Sequence, residues 1–460
     1  MLKLHARAAR ISGATIGGMT NLERLLGRPI SQLTTTDFER LVKERAPEGT
    51  QLDFKQEPYT DGRDFAGDVA ALGNSVGGAI VIGIKEADGA AGKLVLTDLS
   101  EEQVLRMQQW LASYLLPRLD VEVLTVKSPE DPQRGLYVVE VPRSPRAPHA
   151  LVRDASLRYY RRSGPRNRPL SEPEVAEAYD SRFRHFQARA ERMKTLAGGA
   201  ASFAYDGGEH SHAWVVVNLL PAYPGSMEIS ARRLGAIEDW ANRMCKTLRR
   251  SSIADDARAF PTMGCVLVTT RPTEGEAPWG YYLRLYADGA ASVAAQLMPF
   301  TKKRAGGDVI GYGIFADDLV RTTAECVRVA AAHAVENTGA RDEALANCQL
   351  SLRRAPTSLG FARWDENFDS WEPYSPERPF NGADVGNPCT VSTDAILGDP
   401  TEWMLATRRV LSDIFHLAGQ PEVRQIDESG AVNTAYWGPR LLQGWKAVEK
   451  VARVNVNLRR

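Results

Sequence analysis

Apolar positions change period along the first half of the chain, and each change marks an element. Behind a Thr36/Glu39 capping box, Phe38, Leu41 and Val42 share one helical face, and Pro47 and Gly49 end that helix. QLDFK (51–55) reads as a short strand. DFAGDVAALGNSV follows as a helix with Phe65, Val69 and Leu72 at i, i+4 and i+7, and AIVIGI (79–84) reads as a buried strand. Ser100 and Gln103 cap a helix striped by Val104, Met107, Leu111 and Tyr114–Leu115, closed by Pro117. VEVLTVK (121–127) and LYVVEVP (136–142) alternate across a Pro/Asp/Gly turn and predict a hairpin, and LRYYRR (157–162) predicts a further strand. Ser171 and Glu174 cap a long charged helix running to about Leu196.

GGAASFAYDGGEHSH (198–212) is rich in glycine and predicts a linker. After it the pattern restarts with a strand at AWVVVNLLP, a helix over about 230–249, a strand at CVLVTT, and a hairpin turning at Asp288-Gly289. A helix over about 315–337 follows. Residues 365–400, rich in Pro, Asp and Gly, predict a long surface loop before two closing helices. The expected organisation is a tail over 1–33, partly disordered, a first domain over 34–197, a linker over 198–212 and an α+β domain over 213–460 that serves oligomerisation or sensing.

Composition narrows the function classes. The 460 residues are 43% hydrophobic and 25% charged, with zero formal net charge, so attraction to nucleic acid has to come from a local patch. Five scattered cysteines, Cys245, Cys265, Cys326, Cys348 and Cys389, form no C-x-x-C pair. They fit reduced thiols in a cytoplasmic protein better than a disulfide framework or zinc ribbon. No apolar run reaches the roughly 18–20 residues that span a bilayer, so no membrane partner is expected.

The glycines of NSVGGAIVIGIKE (74–86) invite a phosphate-loop reading that their context denies. They follow a helix and precede a strand, the reverse of a dinucleotide fingerprint. Gly89, Gly92 and Lys93 miss the Walker spacing, and Leu94 stands where a hydroxyl is needed. Gly77 and Gly78 therefore read as a structural reversal, at least one with positive φ.

Two patterns carry chemistry. Asp53 and Lys55 share one face of their strand while Leu52 and Phe54 point into the core. A turn across Gly49 can bring Glu48 alongside. If the AIVIGI strand is the neighbour, Glu86 can reach the same spot. Three carboxylates there can hold one or two Mg2+ or Mn2+ ions that activate a water, with Lys55 on a phosphate oxygen. The bland alternative is a solvated cap and a surface ion pair. Second, eight arginines (Arg143, Arg146, Arg153, Arg158, Arg161, Arg162, Arg166, Arg168) stand against one acid, Asp154, between Arg143 and Leu170, with Tyr159 and Tyr160 interleaved. On a strand, Arg158, Tyr160 and Arg162 share one face and Tyr159 and Arg161 the other. Arginine beside an aromatic suits phosphate contact with base stacking. The alternatives are a solvated hairpin edge and arginines paired with acids. His149 reads as a structural hydrogen-bonder.

PEGTQLDFK, DVAALGNSVGGAIVIGI, VPRSPRAPHALVRDASLRYYRRSG and SEPEVAEAY, in that order, resemble the Schlafen-type Alba-like domain over about residues 34–190. The resemblance implies an α+β fold, a Schlafen/Alba-like mixed sheet with packed helices. It implies a metal-binding catalytic trio at Glu48, Asp53 and Glu86, where Asp53 and Glu86 exchange the acid lengths of the animal proteins. It also implies a bacterial metal-dependent nuclease cleaving RNA, with tRNA-like substrates preferred to DNA, as an antiphage effector. The animal proteins use two such lobes, which implies a homodimer or larger assembly here, with a defence partner protein. The other readings are a non-catalytic DNA- or RNA-binding regulator or ATP-binding module, and an interaction subunit of a larger complex.

Overall fold

The computed structural model describes Leu22, Leu26 and residues 33–119, 121–205, 213–248, 257–270, 281–297, 299–303, 309–352, 358–359, 361–365, 370–373, 378–379, 383–438 and 456–457. The chain divides into two compact units, one of residues 19–188 and one built from residue 189 onward.

The first unit opens with α1 (Thr35–Lys43), two residues earlier in its cap than the Thr36/Glu39 box predicts. The Asp37 carboxylate instead accepts from the Thr34 N–H at 2.9 Å and the Thr34 hydroxyl at 3.0 Å. Then come β1 (Leu52–Lys55), α2 (Gly62–Gly73), β2 (Gly78–Ile82), β3 (Ile84–Ala87), β4 (Ala90–Leu94), β5 (Thr97–Asp98) and α3 (Glu101–Tyr114). They are followed by β6 (Leu115–Leu116), β7 (Glu122–Lys127), β8 (Arg134–Val141), β9 (Ala150–Arg153), β10 (Ser156–Ser163), β11 (Arg166–Pro169) and α4 (Glu172–Tyr205).

The central sheet is mixed: β1 runs parallel to β2, and β8 runs antiparallel to β2, β5 and β7. Alternation along its strands feeds two cores. Phe54, Ala79, Val81, Leu136 and Val138 join Phe38 and Leu41 of α1 on one face. Ile80, Ile82, Tyr137, Val139 and Val141 join Phe65, Val69 and Leu72 of α2 and Met107 and Leu111 of α3 on the other. Leu22 and Leu26, each only 2% exposed, complete the first core, which corrects the expected tail at those positions. A second antiparallel sheet runs β11-β10-β9-β6.

The Gly77-Gly78 reversal is as expected. Gly77 has φ 76° and Gly78 φ 155°, and a Cβ on Gly78 would lie 2.4 Å from the Gln51 carbonyl oxygen. The predicted strand 79–84 is not continuous. Gly83, at φ 110°, interrupts it, and its N–H donates to the Lys55 carbonyl at 2.7 Å. Beyond it β3 leaves the sheet and pairs only with β4.

The second unit is also α+β. Its antiparallel sheet orders strands 257–262, 265–270, 281–286, 291–297, 213–221, 343–352 and 383–385, with 389–392 also on 343–352. Helices Ala316–Ala332 and Pro400–Leu417 contribute Leu319, Val327, Val410 and Ile414 to its core. Two expectations change. Within 365–400, strands 383–385 and 389–392 pair with 343–352 and residues Thr393–Gly398 are helical, so this stretch is not one loop. The helix expected to end at Leu196 continues to Tyr205 through the first part of the predicted linker, and 206–212 lie outside the described residues. Among the described residues no helix is long and apolar enough to cross a membrane.

Candidate nucleic-acid interface and its acid cluster

Register sets the acid cluster. Asp53 stands opposite Ile80, and Lys55 opposite Ile82, so both project from the sheet face that otherwise feeds the α2 core. Asp53 is not on an exposed face as the strand pattern predicts; it is 2% exposed. Burying a lone carboxylate is prohibitive, so its neighbours explain its presence. Asp53 Oδ1 accepts from Arg162 Nη2 at 2.6 Å, and Oδ2 accepts from the Lys55 ammonium. The ammonium also lies 3.5 Å from Asp68. Burial works against the Lys55 charge, but the Asp53 and Asp68 carboxylates outweigh it and raise its pKa. Asp68 in turn accepts from the Tyr59 hydroxyl and from the Asn167 amide. Burial, then Asp68 and Asp53, drive the Tyr59 phenol well above its ordinary value.

Glu48 lies in the turn before β1 and accepts from the Phe54 N–H at 2.7 Å. Phe54 belongs to an edge strand, so this bond also satisfies a donor that the sheet leaves open. Burial raises the Glu48 pKa; Asp53 and Glu86 push the same way, against the Phe54 N–H and Lys55. Glu86 is exposed on β3 and accepts from the Gly89 N–H at 2.8 Å, closing its own hairpin turn. The three predicted acids thus stand in one electrostatic field. Each is already engaged: Asp53 by two cations, Glu48 and Glu86 by backbone N–H groups. Among the described residues no group of three or more His, Cys, Asp or Glu side chains is arranged to hold a metal ion. Counting Asp68, four carboxylates stand against the two cations Lys55 and Arg162, an excess that repels phosphate.

The arginine-rich stretch folds as β9, β10 and β11, and its residues separate by face. Arg162 is a correction to the predicted phosphate contacts. It is 6% exposed, bonds Asp53, donates from Nε to the Gly49 carbonyl at 3.2 Å, and reaches Asn167 at 3.3 Å. Tyr160, on the same face, is half-buried and packs against the α2 core. The opposite face is open. Arg161 stands directly across from Arg168, and Ser163 across from Arg166, and all three arginines are exposed. Arg168 makes a two-pronged pair with Glu174 at 2.6 and 2.9 Å. Arg143 and Arg158 are also exposed; Arg146 and Arg153 are half-buried, with Arg153 3.9 Å from Asp154. Tyr159 meets Tyr179 of α4 hydroxyl to hydroxyl at 3.1 Å.

Asn74 locks the two sheets. Its amide donates to the His149 and Tyr160 carbonyls, each at 2.9 Å, and its oxygen accepts from the His149 N–H at 2.6 Å. His149 Nδ1 lies 2.7 Å from the Pro117 carbonyl, the structural role expected of it. Sequence reasoning misses Asp68, Tyr59 and Asn167. Asp68 left one signal, a lone carboxylate inside a helix whose residues from Phe65 to Gly73 are otherwise buried.

Residues 48–171 match the family model described as Schlafen, AlbA_2. A crystal structure of the DIP2311 protein from Corynebacterium diphtheriae is similar at 22% identity and a TM-score of 0.22, over 31% of this chain and 27% of that one. The chain thus spans under a third of that protein's length. No curated protein matches.

Proposed function

For a chain that carries a Schlafen, AlbA_2 domain at residues 48–171, we propose that its function is nucleic-acid binding, through the outer face of β10 and β11. The observation that carries this is the Arg161–Arg168 cross-strand pair with Arg166 beside it, all exposed. Like charges directly opposite on a sheet destabilise it, so such a pair reads as a surface kept for an anionic partner. A chain of zero net charge gains nothing here from long-range attraction, and the contact is local. Arginine forks suit phosphate, and counterion release makes such binding steeply salt-dependent. RNA is the favoured ligand by family resemblance. The test is fluorescence anisotropy with labelled single-stranded RNA and DNA. Binding weakened by Arg161→Ala and Arg166→Ala is the expected result; wild-type protein that binds neither strand at 50 mM salt overturns the reading.

A second reading, metal-dependent RNA cleavage at Glu48, Asp53 and Glu86, draws on the carboxylate excess. A divalent ion would offset that excess and neutralise charge on a scissile phosphate. It requires a donor arrangement other than the one described. Arg161, Arg166 and Arg168 also lie on the opposite face of the β10–β11 pair from Arg162 and Asp53, so binding and cleavage are separable. The tRNA preference, the defence role and assembly into a homodimer belong to this reading. Cleavage with Mn2+ that EDTA, Glu48→Gln and Asp53→Asn each abolish supports it; bound but intact RNA under all conditions removes it.

A further inference from the structure

The arginine face holds an anion of its own. Glu174 grips Arg168 with both carboxylate oxygens, Oε1 to Nη2 at 2.6 Å and Oε2 to Nη1 at 2.9 Å. That two-pronged geometry is the one an arginine offers to phosphate. The same Oε2 accepts from the Ser171 N–H at 2.9 Å and the Ser171 hydroxyl at 2.8 Å. Glu174 therefore closes the first turn of α4 and covers one of three exposed arginines with a single side chain. Arg168 remains 47% exposed in this pair and Glu174 31%, so water and salt weaken the contact enough for a competitor to replace it.

We propose that Glu174 is a latch on the nucleic-acid face: its carboxylate stands in the place of a backbone phosphate on Arg168, and binding displaces it, releasing the first turn of α4. This rests on the nucleic-acid reading of β10 and β11 and adds a regulatory element to it. With the latch closed, Arg161 faces an arginine that is already neutralised. With it open, Arg161, Arg166 and Arg168 present three uncompensated charges in register.

Glu174→Gln tests it cleanly, because a glutamine still accepts from Ser171 and keeps the helix cap. Wild type, Glu174→Gln and Glu172→Gln are compared on single-stranded RNA across a salt series. Glu172 is an exposed acid at the start of the same helix, so its variant removes equal charge without touching Arg168. Glu174→Gln is expected to bind about fivefold more tightly, the fold-change that corresponds to about 1 kcal/mol for no longer breaking one exposed ion pair. Its plot of log affinity against log salt should keep the wild-type slope, because displacement of the latch leaves the same phosphates neutralised in both complexes. Glu172→Gln should leave the affinity close to that of the wild type. Hydrogen exchange at residues 172–175 should rise when RNA binds the wild type. Equal affinities in all three proteins, with wild-type binding intact, overturn the latch and leave the nucleic-acid reading standing. Absence of binding by every protein removes both.

Discussion

Asp53 is the residue on which the first unit turns. Its carboxylate is buried with Arg162 and partly with Lys55, and such pairs hold only while complete. Removing one partner leaves a buried charge short of compensation, at a cost of about 3 kcal/mol. Arg162→Met should therefore lower unfolding free energy by that amount in urea titration; a loss under about 1 kcal/mol would mean Lys55 alone suffices. Glu48 makes the opposite kind of prediction. Burial raises its carboxyl above the ordinary 4.5, so the folded state holds the proton more tightly than the unfolded chain. Stability then falls as pH rises from 4.5 through the raised value, and the penalty is complete above it. Glu48→Gln keeps an acceptor for the Phe54 N–H and removes the titration. Its stability should be flat across that window, exceeding wild type at pH 7 and converging with it below pH 4.5. A wild-type curve that rises with pH there contradicts this account.

At the scale of elements, the Gly77-Gly78 reversal determines whether β2 lies beside β1. Gly78→Ala would drive a Cβ against the Gln51 backbone and should cost on the order of 1–3 kcal/mol in thermal or urea unfolding; an unchanged Tm would show that the backbone yields there. Much of this level was legible. Leu52 and Phe54 inward, the helix of Phe65, Val69 and Leu72, and the 122–127/134–141 hairpin follow from periodicity alone. Periodicity failed where a partner distant in sequence decides the outcome. Alternation puts Arg158, Tyr160 and Arg162 on one face, but only the fold reveals that this face covers Asp53. Strand pattern also placed Asp53 on an open surface, since it carries no information about α2 packing above the strand. Helix α4 continues past Gly198 and Gly199 although each glycine costs about 1 kcal/mol in a helix. Arg284 Nη1 donates to the Gly199 carbonyl at 3.3 Å, a tertiary contact that local composition cannot announce. Strands of three or four residues, as at 383–385 and 389–392, are too short for alternation to register.

At the scale of the whole molecule, charge balance gives the account its sharpest form. The chain is neutral overall, Asp53 and Asp68 meet Lys55 and Arg162 on one side of β10, and the exposed Arg161, Arg166 and Arg168 gather on the other. The direct measurement is the salt dependence of single-stranded RNA binding by the full chain, wild type beside Arg161→Ala/Arg166→Ala. Log affinity should fall linearly with log salt for the wild type, with a slope reduced by about 0.7 per arginine removed in the double variant. A double variant that binds with wild-type affinity and slope would contradict this account.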